Sequence, residues 1–182
     1  MAQIATKKGV IGILTGGGDV PGLNPAIRAV TIRAMREGYQ VVGLRRGWLG
    51  AISILRDKHA DNSEHIQVLT EEIVNRTGRA GGTFLHTSRT NPPAVKKEDV
   101  PELLRATYNQ DKNDLTPEVI KNLDWLGIDY LIPIGGDDTL SFANRLHKEG
   151  VKVVAIPKTM KSEMGYCFVP ISTVCLNKAT SQ

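Results

Sequence analysis

The segment Asp129-Tyr130-Leu131-Ile132-Pro133-Ile134-Gly135-Gly136-Asp137-Asp138-Thr139 decides the fold. Its first six residues form a strand-sized apolar run. Two glycines and two aspartates follow directly. A helical pattern comes next, with Leu140, Ala143 and Leu146 as its inward face and Gly150 as its end. Thr139 is expected to cap that helix. Another strand is expected over residues 151–156, and Pro157-Lys158-Thr159 closes it. Strand, glycine turn, helix and strand make a parallel crossover unit. Ligands of open α/β sheets bind outside the carboxyl ends of such strands.

The pattern repeats towards the N-terminus. Residues 10–14 are a short apolar run, read as a buried strand. Residues 15–24 form a Gly/Pro-rich turn. Asn24 is expected to cap a helix with Pro25 at its first position. Ile27, Val30, Thr31, Ala34 and Met35 give that helix one apolar face, and Gly38 ends it. Residues 40–45 supply a second strand.

The middle is less regular. Residues 46–51, with two glycines and Trp48, read as a loop, and residues 55–65 as polar and exposed. Residues 96–114 read as a solvated insertion with a short helix after Pro101. Order returns at Thr116 and Pro117, which start a helix ending near Gly127. The resulting expectation is an α/β fold: a doubly wound, largely parallel sheet with helices on both faces.

At 182 residues the chain can form one domain with a sizeable core. Apolar residues make up 41% and charged residues 23%, ordinary for a globular protein, and the net charge is +4. No basic stripe interleaved with aromatics occurs, so nucleic-acid binding is not expected. No signal peptide or membrane span is read from the sequence. The only cysteines, Cys167 and Cys175, match no zinc or redox spacing, which suits a reduced, cytoplasmic setting.

Four loops carry candidate chemistry. Thr15-Gly16-Gly17-Gly18-Asp19-Val20-Pro21-Gly22-Leu23-Asn24 links a strand to a helix N-terminus, whose amides favour an anion; a tight structural turn would look the same. It matches neither GxxxxGK[ST] nor GxGxxG. Gly81-Gly82-Thr83-Phe84-Leu85-His86-Thr87-Ser88-Arg89 holds an arginine suited to phosphate oxygens or to a surface ion pair. His86 reads as packed or exposed rather than catalytic. Gly135-Gly136-Asp137-Asp138-Thr139 offers carboxylates for a metal–phosphate site or for simple helix capping. Lys158 suits an ion pair with Asp138 or a phosphate.

Together, in this order, TGGGDVPGLN, GGTFLHTSR, IGGDDT and IPKT resemble the phosphofructokinase family, over most of residues 8–160. The resemblance implies Mg²⁺-dependent phosphoryl transfer to the 1-hydroxyl of fructose 6-phosphate, giving fructose 1,6-bisphosphate in glycolysis. It implies a donor site made by Gly17, Arg89, Gly136, Asp138, Thr139 and Lys158, with Asp137 holding Mg²⁺. Thr159 would contact the transferring phosphoryl group or the sugar phosphate. ATP-using members commonly carry glycine at the position of Asp138. Pyrophosphate users carry aspartate there, with lysine at the position of Lys158. The expected donor is therefore pyrophosphate rather than ATP. Full-length relatives are usually homo-oligomers.

The resemblance breaks after Thr159. The family's base aspartate falls at Lys161, and its second aspartate at Glu163, a weak substitute. A lysine ammonium has no lone pair to accept a proton, and its pKa would have to fall from ~10.4 to near neutrality. Residues 1–160 are thus expected to be a donor-binding domain and 161–182 a divergent tail, with the family's second domain absent. The tail reads as a frame change, an alternative exon or a sequence error. The alternative expectation is an inactive remnant that binds phosphate ligand and Mg²⁺ without transfer.

Overall fold

The computed structural model describes residues 8–158. In chain order the elements are β1 (Gly9–Thr15), α1 (Leu23–Arg36), β2 (Tyr39–Leu44), α2 (Trp48–Ile52), β3 (Ile66–Leu69), α3 (Glu71–Thr77), β4 (Val95–Lys96), β5 (Lys112–Asn113), α4 (Thr116–Trp125), β6 (Tyr130–Gly135), α5 (Asp137–Lys148) and β7 (Ile156–Pro157). Five strands form the main sheet in the order β3-β2-β1-β6-β7. The β1/β2, β1/β6 and β6/β7 pairs are parallel, and β3 lies antiparallel on β2. The small β4/β5 pair stands apart from this sheet.

Alternating side chains along the strands feed two cores. Ile11 and Ile13 of β1 pack with Leu23 and Ile27 of α1 and Val74 of α3 on one face. Leu14 packs on the other face with Trp48, Ala51 and Ile52 of α2, Val119 and Leu123 of α4, and Phe142 and Leu146 of α5. A strand flanked by helices must bury both of its sides, so β1 reads as near-continuous Val, Ile and Leu. The doubly wound, largely parallel α/β fold follows from this two-sided burial.

Topology then places the functional crevice. From β1 the chain crosses α1 to β2 on one side. From β6 it crosses α5 to β7 in the opposite direction. The reversal falls between β1 and β6, whose register pairs Thr15 with Ile134 at their carboxyl ends. A crevice opens where strand order reverses.

Several expectations are corrected. Residues 46–51 are not simply a loop, because 48–52 form α2. Trp48 is 2% exposed and meets Phe142 edge to face, with ring centroids 4.7 Å apart. Burial of this large ring against α5 outweighs the two neighbouring glycines. Asn24 does not cap α1; Gly22 does, at φ 97°, and Asn24 turns its side chain elsewhere. Thr139 does not cap α5 either, since Gly136 is the N-cap and Thr139 is buried in the first turn. Met35 points outward, 38% exposed, so the α1 stripe is narrower than expected. On α5, Phe142 joins Ala143 and Leu146 in the core, while Leu140 is only half-buried. The last expected strand shrinks to Ile156–Pro157, preceded by a single bridge from Val153 to Leu131.

The irregular middle is also more structured than its composition suggests. β3 and α3 had no expected counterpart. Thr70 caps α3 by accepting from the Ile73 amide at 3.3 Å. Within residues 96–114 a one-turn helix, Glu102–Leu104, follows Pro101 as expected, but Val100 and Asn113 are buried. Within 55–65, Asn62 is buried and exchanges two 2.9 Å hydrogen bonds with the Leu55 backbone. Asn122 of α4 donates to the carbonyls of Ala51 and Ile52 at 2.8 and 3.0 Å, which fixes α2 against α4. Arg56 joins the same cluster, donating to Asn122 at 2.7 Å and to Glu118 at 2.8 Å.

Candidate functional site: a glycine-lined crevice at the sheet's carboxyl edge

Two glycines let the turns after β1 and β6 meet. The Gly16 amide donates to the Ile134 carbonyl at 2.9 Å. A Cβ on Gly16 would lie 2.4 Å from Thr139 Oγ1, and one on Gly135 would lie 2.5 Å from Thr139 Cβ. Thr139 is therefore a wedge, 4% exposed, that fills the space both glycines leave. A side chain at Gly16 would press the first loop away from the α5 N-terminus, while one at Gly135 would clash with Thr139 inside the β6–α5 turn itself.

Lys158 closes the crevice from the third side. Its amide donates to the Gly135 carbonyl at 2.9 Å, which sets the end of β7 beside the β6 turn. The residue is 6% exposed, and its ammonium donates to the Gly18 carbonyl. Gly17 adopts φ 77°, and a Cβ there would stand 3.5 Å from Lys158 Nζ. The loops after β1, β6 and β7 thus converge on one spot.

The second candidate loop, residues 80–89, has no regular secondary structure and is held by hydrogen bonds to the first. Thr15 Oγ1 shares a 3.0 Å hydrogen bond with Thr83 Oγ1 and donates to the His86 carbonyl at 2.9 Å. The Gly17 amide donates to the Ser88 carbonyl at 3.2 Å. Arg89 follows directly, exposed, and among the described residues no carboxylate pairs with it. A surface ion pair, one reading of Arg89 from sequence, is thus not formed with them. His86 is exposed, as expected, in a left-handed conformation at φ 58°.

Asp137 and Asp138 occupy the first turn of α5 and are exposed. Neither they nor Gly136 supply a side-chain cap, so the opening amides of α5 and its dipole face the crevice. Such an end suits an oxyanion. Mg²⁺ is commonly held by one or two carboxylates plus substrate phosphates, so an exposed Asp137 beside an anion site fits that ion. Among the described residues no group of three or more His, Cys, Asp or Glu converges on a point, so a cage built of protein ligands alone is not offered there. A cleft of about 290 Å³ runs along α5, lined by Asn91, Pro93, Asp138, Ser141, Phe142 and Arg145. Asp138 is the lining residue nearest the helix N-terminus.

Gly17, Gly136, Asp137, Asp138, Thr139 and Lys158 are therefore gathered at one edge, with Arg89 joined to it through Ser88. Thr159, Lys161 and Glu163 lie outside the described residues. Thr15, Asn24 and Ser88 were not singled out from sequence as parts of the site. Their roles come from partners more than 50 residues away in sequence, except for the Thr15 position, where a threonine directly precedes three glycines and gives a local signal.

A family model described as phosphofructokinase matches residues 10–172. The chain is 38% identical over 154 residues to a pyrophosphate–fructose 6-phosphate 1-phosphotransferase of Dictyoglomus thermophilum, covering 85% of this chain and 37% of that protein. It is also 38% identical over 156 residues to an ATP-dependent 6-phosphofructokinase of Mycobacterium tuberculosis (strain ATCC 25618 / H37Rv), covering 85% of this chain and 38% of that one. The chain thus spans well under half the length of these curated relatives. Phosphofructokinase from Saccharomyces cerevisiae has the same fold over 84% of this chain and 20% of its own, with a TM-score of 0.61 at 20% identity.

Proposed function

We propose, from the premise that this chain belongs to the phosphofructokinase family, that it carries the phosphoryl-donor half of a site that phosphorylates the 1-hydroxyl of fructose 6-phosphate. The observation that carries the reading is the convergence of three turns on one spot: Gly16–Gly18, Gly135–Asp138 and Lys158. In this proposal the α5 amides, Gly17, Gly136 and Thr139 cradle donor phosphates, while Arg89 and Lys158 neutralise them. Asp137 would hold Mg²⁺, which supplies charge neutralisation on the donor. Thr159 would contact the transferring group. In the transfer, the sugar O1 forms a bond to phosphorus as the bond to the leaving phosphate breaks, and a base takes the hydroxyl proton.

The proposed donor is pyrophosphate rather than ATP. Relatives with both donors in their names match at the same identity, so the argument rests on Asp138. A nucleotide extending from the α5 N-terminus into the adjoining cleft would bring its α-phosphate past this carboxylate. At ~4 Å and an effective dielectric of about 20, the repulsion is about 4 kcal/mol, near three decades in affinity. Calorimetric titration with Mg²⁺-pyrophosphate and Mg²⁺-ATP, repeated on Asp138→Gly, tests this. The substitution should strengthen ATP binding by at least tenfold; no gain for ATP sinks the donor assignment.

A second reading is favoured by Lys161, which stands where the resemblance places the base. Loss of a general base costs on the order of 10²–10⁴ in rate. The chain would then bind the donor and transfer nothing. Mixing it with fructose 6-phosphate, Mg²⁺ and pyrophosphate separates the two readings, because turnover above background rejects the second.

A further inference from the structure

We infer that Asn24 is a positioning residue: its carboxamide holds residues 80–84 so that the loop reaching Arg89 stands over the glycine turn. The inference deepens the donor-site reading and rests on it for its functional consequence. Asn24 sits in the first turn of α1 and is 1% exposed. Gly22 already serves as the cap, so the side chain is not used for the local role an asparagine usually has there. Instead Nδ2 donates to the carbonyls of Ala80 and Gly81, at 3.1 and 3.4 Å, and Oδ1 accepts from the Phe84 amide at 2.9 Å. The Asn24 amide also donates to the Gly82 carbonyl at 3.3 Å. One residue thus engages backbone groups of four residues in a five-residue stretch.

The stretch needs such a clamp. It contains Gly81 and Gly82, the latter at φ 73°, and has no sheet or helix ladder of its own. Its continuation is tied down by Thr15, which bonds Thr83 and His86, and by Gly17, which bonds Ser88. Asn24 fixes the entry to the loop, and Thr15 and Gly17 fix its exit. With the entry freed, the glycine pair regains its conformational range, and the placement of Ser88 and Arg89 over the first loop is lost. Only a carboxamide supplies two donors and an acceptor on a side chain this short. Aspartate keeps the acceptor but faces two carbonyls with no donor.

The test uses the full chain, with Asn24→Asp and the milder Asn24→Ser. Leu123→Ala, a core truncation on the opposite face, serves as a control for general loss of stability. Amide hydrogen exchange is read by peptide over 80–89 and over 130–148, and Mg²⁺-pyrophosphate binding by calorimetry. The expected result is about tenfold or greater acceleration of exchange confined to 80–89 in both Asn24 variants, with donor binding weakened about tenfold or more. Leu123→Ala should leave both unchanged relative to its own global stability. Unchanged exchange over 80–89, or an equal rise over 130–148, overturns the inference. If the unaltered chain binds neither pyrophosphate nor ATP, the donor-site reading fails, while the exchange comparison still decides whether Asn24 positions the loop.

Discussion

Replacing Gly16 by alanine tests the packing that brings the two principal turns together. The Gly16 backbone lies outside the left-handed region, so alanine can adopt its conformation and the cost is steric. The new methyl would meet Thr139 Oγ1 at 2.4 Å and Cγ2 at 2.8 Å, roughly 1 Å inside an ordinary contact of about 3.5–4.0 Å. Thr139 is β-branched, buried and held in a helix, so it has little room to turn away. Overpacking of this kind costs about 1–3 kcal/mol, and the expectation here is about 2–3 kcal/mol. Thr139→Ala removes Oγ1 and Cγ2 and leaves only Cβ, at 3.2 Å. In that background Gly16→Ala should cost less than about 1 kcal/mol, giving a coupling energy of about 1–2 kcal/mol. Gly135→Ala is the internal contrast. Its methyl would meet Thr139 Cβ itself at 2.5 Å, so Thr139→Ala should not rescue it. Urea unfolding of the single and double variants measures both cycles. Additivity of Gly16→Ala and Thr139→Ala within about 0.5 kcal/mol, or equal rescue of Gly135→Ala, would refute the wedge.

Gly17→Ala places a side chain at φ 77° and should cost about 1–2 kcal/mol by denaturation, with Thr139→Ala giving no relief. Asn122→Leu strands the Ala51 and Ile52 carbonyls and should cost at least about 2 kcal/mol; a loss under ~0.5 kcal/mol would show that these hydrogen bonds do not hold α2 to α4. Burial pushes the Glu118 carboxyl up, but hydrogen bonds and charge from Arg56 and Lys121 outweigh it and hold the group below its ordinary value. Burial likewise raises Asp114, and its bonds to Thr116 and Arg145 bring it below normal. Both folded pKa values are depressed, so the stability they contribute is present above the ordinary carboxylate range and is lost as pH falls through the folded values. Glu118→Gln should therefore lower stability at neutral pH and flatten the acid limb of the stability–pH curve, which urea titrations between neutrality and about pH 3 would record.

The parts legible in the sequence are those whose signal is local. The apolar runs at 10–14 and 129–134 announced β1 and β6, and the glycines after them announced turns at the strand ends; that β1 lies beside β6 came only from the structure. Parallel pairing followed from the crossover rule, whereas the strand order, with β3 antiparallel at one edge, did not. What escaped depends on partners distant in sequence. Trp48 sits among glycines and reads as loop, and only its edge-to-face contact with Phe142 makes 48–52 a buried helix. Asn24 and Thr139 each stand near a helix start and read as caps, yet in each case a glycine takes the cap and the side chain reaches another loop or fills a gap. Lys158 was legible as a cation at the site, but its bond to the Gly18 carbonyl, 140 residues away in sequence, was not.

The most direct test of the central claim is calorimetric titration of the chain with pyrophosphate and, separately, ATP, each with Mg²⁺. The account expects saturable pyrophosphate binding that Lys158→Met weakens, with ATP weaker by roughly two to three decades. Binding of neither donor would contradict the donor-site reading itself. ATP binding as tight as pyrophosphate would contradict the role given to Asp138.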